Sequence, residues 1–301
     1  MQTRLSRVQF NVLVLLEREK STGKMMTQRS IARLSGLSLG TVNKALLFLG
    51  ENGLIENNRI SAAGVEALEP YRVRRAVFIA AGFGARLVPI TLNTPKPLVR
   101  VKGVRIIDTL LDAVCAAGID EIIIVRGHLG EQFDQLKYKY PGIQFLENPL
   151  YNEANNISSM MCARYLLQNA YVLDSDLLLY NQSLICKYHY ASNYLGVPVE
   201  RTDDWCFETR NGIITRMRLG GRNCHHMFGI SYWNSEDGAK LADHVKQVYE
   251  MPGGKERFWD QSPLEYFSKD YAVEVRECTF DDLVEIDTFG ELKKLDEVYR
   301  V

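Results

Sequence analysis

Two glycines, an arginine and a lysine fall within the fifteen residues GFGARLVPITLNTPK, from Gly82 to Lys96. Missing side chains at Gly82 and Gly84 let the backbone take φ > 0 and let a ligand approach closely. The cradle so formed would run through Ala80, Ala81, Gly82, Phe83, Gly84 and Ala85 to Arg86, with Lys96 held between Pro95 and Pro97. Bare amides followed by two cations suit a polyphosphate. Two commoner phosphate loops do not fit. A dinucleotide fingerprint needs a third glycine where Leu87 stands and then an unbroken helix, which Pro89 discourages. A P-loop needs Gly-Lys-Ser/Thr, which the sequence lacks.

Carboxylates come next. Asp174-Ser175-Asp176 ends the apolar run Ala170-Tyr171-Val172-Leu173. Aspartates there have little company except each other and a cation, and hard oxygen ligands beside a phosphate cradle favour Mg2+. In the stretch NPLYNEANNISSMM, Asn148, Tyr151, Asn155 and Asn156 offer amide and hydroxyl partners for a base or ribose. Asn155 or Asn156 is also placed to cap a helix starting near Ile157. Glu285 and Asp287 lie two apart and share one face of an extended segment, as the polar residues of a plain edge strand also do. His225 and His226, adjacent on a strand, point to opposite faces and are read as structural or exposed. Trp205, Trp233 and Trp259, with Tyr190 and Tyr232, supply aromatic faces that can hold a quaternary ammonium.

These groups need a scaffold. Apolar runs at 76–80, 121–125, 143–146 and 170–173 read as buried strands, with helices at 106–117 and 130–140 between them. Strands alternating with helices imply right-handed βαβ units and a mainly parallel sheet, whose ligands bind beyond the strands' carboxyl ends. The glycine loop lies at such an end. Between Gly196 and Leu219 the pattern alternates and turns at Asn211-Gly212, a type I′ hairpin signal. Met227 to Trp233 reads as a strand, Ser235 as the cap of a helix reaching Tyr249, and 263–267 and 289–299 as further helices.

The first 75 residues differ in character. They carry 12 Lys/Arg against 6 Asp/Glu, whereas the remainder carries 24 against 31. That asymmetry argues for two modules, 1–72 and 73–301. A first helix with Val8, Val12, Leu13, Leu15 and Leu16 is expected to end near Gly23. Thr27 caps a second, a third runs from Ser38, Leu54-Ile55 can pair with Arg59-Ile60, and Ser61 caps a fourth helix. Helix, turn, helix and wing resemble a winged helix-turn-helix. Ser38, Thr41, Asn43 and Lys44 would face outward, with Arg29 and Arg33 near a backbone. DNA binding through 1–72 and a packing or homodimer interface are both open readings. The linker, Pro70 to Arg75, lacks Gly and Ser and should not be a flexible tether. Six scattered cysteines without C-x-x-C spacing, and no long apolar N-terminal stretch, point to a reducing cytoplasm without a membrane span.

The segment AAGFGARL, the following proline and threonines, and Pro95-Lys96-Pro97-Leu98 resemble the signature of nucleotidyltransferases: sugar-nucleotide pyrophosphorylases and, most nearly, phosphocholine cytidylyltransferases. The resemblance implies an α/β, Rossmann-like, mixed but mainly parallel sheet that follows the winged helix. It implies Mg2+ held by Asp176 and Asp287 with Glu285 assisting, and catalytic roles for Arg86 and Lys96. It places Tyr151 to Asn156 on the nucleotide side and likens TDDWCFE and FWDQ to choline-site stretches, hence Trp205, Trp259 and Asp260, with Trp233 left to the core. The implied reaction is cytidylyl transfer from CTP to phosphocholine. Phosphoethanolamine and 2-aminoethylphosphonate are the near alternatives. A sugar 1-phosphate is less well served, because the chain between Gly196 and Glu285 is short for a sugar subdomain. A transcriptional regulator with a nucleotide-sensing domain is the reading from another class, and the intact Lys96, Asp176 and Asp287 count against it.

Overall fold

A computed structural model describes residues 4–20 and 25–300, and it divides into two compact units, Met1–Arg72 and Val73–Val301.

In the first unit each helix begins at a hydroxyl residue. Ser6 accepts from the Gln9 amide and Gln9 answers with its side chain, a capping box that starts α1 (Arg7–Glu19). Thr27 caps α2 (Gln28–Ser35), Ser38 caps α3 (Leu39–Glu51) and Ser61 caps α4 (Ala62–Leu68). Gly36, at φ +67°, closes α2 in the left-handed conformation that favours glycine. The wing is a minimal hairpin of β1 (Ile55–Glu56) and β2 (Arg59–Ile60). Phe10, absent from the expected apolar stripe of α1, is buried with Val12, Leu13 and Leu16. α1 stops at Glu19, and the expected end near Gly23 lies outside the described residues.

The second unit is built on β3 (Arg75–Ala80), which pairs in parallel with both neighbours. After it come a small hairpin of β4 (Arg100–Val101) and β5 (Val104–Arg105), α5 (Ile106–Ala116), β6 (Glu121–Arg126), β7 (Ile143–Glu147) and α6 (Ile157–Ala163). Next are β8 (Ala170–Asp174), β9 (Leu177–Leu179), β10 (Asn193–Arg210), β11 (Ile213–Trp233) and α7 (Ser235–Glu250). The chain closes with β12 (Glu274–Glu277), β13 (Leu283–Glu285) and α8 (Phe289–Leu295). The main sheet runs β10-β12-β11-β8-β3-β6-β7: β8, β3, β6 and β7 are parallel, while β11 is antiparallel to β8. It is therefore mixed and mainly parallel at its centre. Apolar residues of its strands are sealed on one face by Leu110, Leu111 and Val114 of α5, and on the other by Leu241, Val245 and Val248 of α7.

Five local expectations are corrected. Residues 130–138 form a 3-10 helix, not an α-helix. Residues 262–266 form one π-helical turn, and the last helix stops at Leu295, with a separate 3-10 turn at Glu297–Tyr299. Asn234, not Ser235, caps α7, accepting from the Asp237 amide. Neither Asn155 nor Asn156 makes a side-chain cap on α6. No described helix is long and apolar enough to cross a membrane.

Candidate active site

Beyond the carboxyl end of β3 the chain leaves the sheet in an open turn. Gly84 adopts φ +69°, and a Cβ there would press at 3.1 Å on Lys96 Cβ and Thr91 Cγ2, so glycine is required both for the turn and for the lysine's packing. Gly82 is different: it lies outside the left-handed region and has open space around its α-carbon. Its use is access, not conformation. The Ala81 carbonyl accepts from the His128 amide at 3.0 Å, which fastens the start of the turn to the segment after β6.

Lys96, buried, reaches across to two carboxylates from distant segments. Its Nζ donates to Asp176 Oδ2 at 2.8 Å and to Asp287 Oδ1 at 3.1 Å. Burial works against the ammonium, but Asp176 and Asp287 outweigh it, and the Lys96 pKa is raised above its ordinary value. Arg86 donates to the same Asp287 Oδ1 at 2.8 Å. The Asp287 position is fixed in turn by α8: Glu291 accepts from the amides of Asp287 and Thr288, both at 2.8 Å, and Thr288 completes a capping box.

Asp176, Glu285 and Asp287 each present a carboxylate oxygen, the three lying within 4.8 Å of one another. Antiparallel pairing of β13 with β9, Glu285 opposite Leu177, brings them together. Burial first, then Asp176 and Asp287, push the Glu285 carboxyl up to about 9. Asp176 Oδ1 is buried without a hydrogen-bond partner. An orphaned oxygen beside two further carboxylates is the donor set of a hard divalent cation, and the residues fit one.

A cavity of about 490 Å³ joins this cluster to a second wall. Asp174 lines it, part-buried at the end of β8, opposite Ile79 of β3 and with Gly229 of β11 against its carboxyl. A Cβ on Gly229 would lie 1.9 Å from Asp174 Oδ2, so only glycine leaves that carboxyl its place. Burial, followed by Asp176, Asp260 and Glu285, raises the Asp174 pKa well above the carboxylate range. Asp260 accepts a short hydrogen bond from the Tyr194 hydroxyl, and burial pushes its carboxyl up to about 7 against that bond. Six carboxyl groups line the cavity (Asp174, Asp176, Asp204, Asp260, Glu285 and Asp287), against two cationic side chains, Arg86 and Lys96.

Of the residues expected from sequence, Ala80, Gly82, Gly84, Arg86 and Lys96 line this cavity, as do Asn156, Asp176, Trp205, Asp260, Glu285 and Asp287. Others are placed elsewhere. Asn148 is buried, its amide donating to the hydroxyls of Ser158 and Ser159 while its oxygen accepts from the Leu150 amide, so it is scaffolding and not a nucleotide ligand. Tyr151 packs over Gly127 and near the His128 ring, outside the lining. Asn155 donates to the Glu256 carbonyl. Trp259 is 1% exposed, stacked on Tyr194 and edge-on to Trp233, and belongs to the core. Tyr232 is fully buried with its hydroxyl on Asn169, and Tyr190 lies outside the lining; neither can hold an acceptor in this cavity. Ala81, Phe83 and Ala85 serve the turn without lining the cavity.

Sequence reasoning quoted the stretches that hold Asp204 and Phe258 without choosing either residue, and it missed Met217, Leu219 and Met227; these five with Trp205 form the second wall. Two of them adjoin residues that were singled out. Phe258 and Asp260 reach the cavity while Trp259 between them turns to the core, an alternation that an irregular stretch does not advertise. In the first unit, Ser38 is engaged in capping, with its hydroxyl 2.8 Å from that of Thr41, and Asn43 Oδ1 is buried. Arg29, Arg33 and Lys44 remain exposed, beside exposed Leu34, Leu39 and Leu47.

Two family profiles match the chain: nucleotidyl transferase over residues 75–193, and winged helix-turn-helix DNA-binding over residues 5–56. The 2-aminoethylphosphonate cytidylyltransferase of Lancefieldella rimae is 32% identical over 228 residues, 74% of this chain and 92% of that protein. The choline-phosphate cytidylyltransferase of Streptococcus pneumoniae is 30% identical, over 75% of this chain and 98% of its own length. A solved structure of CTP:phosphocholine cytidylyltransferase from the same organism superposes with a TM-score of 0.69 and 30% identity, covering 75% of this chain and 99% of that one.

Proposed function

The chain belongs to the cytidylyltransferase family of nucleotidyltransferases, and from that premise we propose that it transfers the cytidylyl group of CTP to a small phosphoryl acceptor whose far end is an ammonium, phosphocholine first among them. The observation that carries this reading is the wall away from the metal set: Asp174, Asp204 and Asp260 line the cavity with Trp205, Phe258, Met217 and Met227, while the two cationic side chains of the lining, Arg86 and Lys96, are engaged by Asp176 and Asp287. Burial holds Asp174 and Asp260 toward the protonated form, and a neutral sugar would give them no cause to ionise. A cationic head answers them, and thioether and aromatic surfaces suit its methyl groups.

The roles divide along the cavity. Backbone amides of the Gly82–Gly84 turn and the Arg86 guanidinium bind the β- and γ-phosphates. Lys96 places its ammonium against the α-phosphate and the incoming acceptor phosphate, where charge stabilisation in the transition state counts most. Asp176, Glu285 and Asp287 would hold Mg2+, which supplies neutralisation of the triphosphate's charge when bound. An acceptor oxygen forms the new bond to the α-phosphorus, the bond to the bridging oxygen breaks, and pyrophosphate leaves with that electron pair. The acceptor dianion is already nucleophilic, so no general base is required. Asp260, braced by Tyr194, and Asp174 face the acceptor's cationic end.

A second acceptor, 2-aminoethylphosphonate, is favoured by the 32% identical relative of that name. The test is pyrophosphate release from CTP and Mg2+ across phosphocholine, 2-aminoethylphosphonate, phosphoethanolamine and neutral sugar 1-phosphates. Turnover confined to ammonium-bearing acceptors is expected. Equal turnover with sugar phosphates, or none with any ammonium acceptor, overturns the reading.

For the first unit we propose DNA as partner, supported by the profile match and the exposed Arg29, Arg33 and Lys44. Duplex binding that weakens steeply with salt is the expected result. The reducing cytoplasm, which six scattered cysteines without C-x-x-C spacing suit, is the compartment we assign.

A further inference from the structure

Asn155 and Asn156 make three hydrogen bonds to a single segment, and all three reach across to the turn that follows α7. The Asn155 amide donates to the Lys255 carbonyl at 2.8 Å, and its side-chain amide donates to the Glu256 carbonyl at 3.2 Å. The Trp259 amide donates to Asn156 Oδ1 at 2.9 Å. This last bond fixes the orientation of the Asn156 side chain: a backbone N–H can only donate, so the oxygen must face Trp259.

The segment so held is the one that delivers Phe258 and Asp260 to the cavity. Between them the Trp259 indole is buried in the core against Tyr194 and Trp233. An indole anchored in the core fixes the depth of the turn, and the bonds of Phe258 with Gln261 and of the Ser262 amide to the Trp259 carbonyl hold its shape from within. The bond from the Trp259 amide to Asn156 ties that turn to the start of α6, and so sets how the residues on either side meet the cavity. Asn156 itself stands at the start of α6 and lines the same cavity.

We infer that Asn155 and Asn156 are positioning residues for the acceptor wall, clamping residues 255–260 so that Phe258 and Asp260 face the substrate's cationic end. The inference rests on the acceptor reading above for its functional consequence, but the clamp is a property of the chain. It reassigns two side chains that a nucleotide-side reading would place against base or ribose.

Two variants separate these roles. Asn156→Ala removes the accepting oxygen. Asn156→Asp keeps an accepting oxygen for the Trp259 amide while removing the amide nitrogen that a nucleotide role would need. Hydrogen exchange of the peptide spanning 255–261 is compared with that of 170–176 as a control for folding. Asn156→Ala should lose protection at the Trp259 amide with the control unchanged, and Asn156→Asp should keep it. In steady-state kinetics Asn156→Ala should raise the KM for the acceptor about ten-fold while the KM for CTP stays within about two-fold. Asn156→Asp should restore the acceptor KM. Unchanged protection in Asn156→Ala, or loss of protection in both variants, overturns the clamp. So does an increase in the KM for CTP shared by both variants. If the wild-type protein turns over no ammonium acceptor, the acceptor reading falls, and the exchange at Trp259 still decides the clamp.

Discussion

The Ile286 amide donates to the Asp176 carbonyl at 3.1 Å, continuing the short ladder in which β13 pairs with β9. One backbone bond thus sets the register between the aspartate that follows β8 and a carboxylate pair near the C-terminus. Sequence distance is irrelevant once that ladder forms: a slip of one residue would turn Glu285 away from Asp176.

Asp287→Ala should therefore act on chemistry and not on folding. Its carboxylate accepts from Lys96 and Arg86, while the α8 cap at Thr288 and Glu291 survives the change. We expect Mg2+-dependent turnover to fall at least about a hundred-fold with the far-ultraviolet circular dichroism unchanged. Near-normal turnover would remove Asp287 from the metal set.

Gly229→Ala should fail for a steric reason. The added methyl would meet Asp174 Oδ2 at 1.9 Å in a closed part of the sheet. Overpacking of this kind costs about 1–3 kcal/mol, readable as a lower urea midpoint at unchanged m-value. The double variant with Asp174→Ala should recover most of that loss, since it removes the atom that is struck. Additive losses would mean that the clash is relieved some other way.

The order of strands, the glycine turn with Arg86 and Lys96, and the carboxylates at 174–176 and 285–287 were legible in the sequence, because each depends on local pattern or on a motif with fixed spacing. The acceptor wall was legible only in part. Trp205 and Trp259 stood out as large aromatics, yet burial sends Trp259 to the core and gives its place to Phe258. Asn148 and Asn156 looked alike as polar side chains. What separates them is which groups take their hydrogen bonds, the Ser158 and Ser159 hydroxyls for Asn148 and the Trp259 amide for Asn156, a matter of three-dimensional neighbours that no spacing encodes. Asp174 needed Gly229, 55 positions away, to be read as a carboxyl packed against the sheet at the cavity edge.

Acceptor binding should follow pH through the Asp260 carboxyl. Burial raises it from 3.8 to about 7, so the folded chain holds this proton more tightly than the unfolded chain does. Its contribution to stability is fully present below about pH 4 and is lost as pH rises through about 7. Binding runs the other way: the ionised carboxylate attracts a cationic head, so the acceptor KM should fall as pH rises through about 7. The acceptor phosphate titrates near pH 6 as well, and Asp260→Asn isolates the protein's share. That variant should lose the fall in KM and flatten the thermal midpoint between pH 5 and 8. A pH profile identical to wild type would exclude Asp260 as the titrating group.

The two tryptophans should behave as opposites. Trp259 is packed among Tyr194, Trp233 and the α7 face of the sheet, so Trp259→Ala should destabilise the fold by about 3–5 kcal/mol, seen as an early denaturation midpoint. Trp205, half-buried on the cavity wall and edge-on to Phe258 at 5.6 Å between centroids, contributes surface to the acceptor. Trp205→Ala, which removes a side chain only partly packed on that core, should lower the denaturation midpoint far less than Trp259→Ala and raise the acceptor KM about ten-fold, since a cation–π contact in a desolvated site is worth about 1–2 kcal/mol, while the KM for CTP stays near wild type. Should Trp205→Ala raise both KM values together, the aromatic wall serves the cavity as a whole. The acceptor's cationic end would then have to be held by the carboxylates alone, and 2-aminoethylphosphonate would become the better acceptor, because a primary ammonium can donate hydrogen bonds to Asp174 and Asp260 that a trimethylammonium cannot.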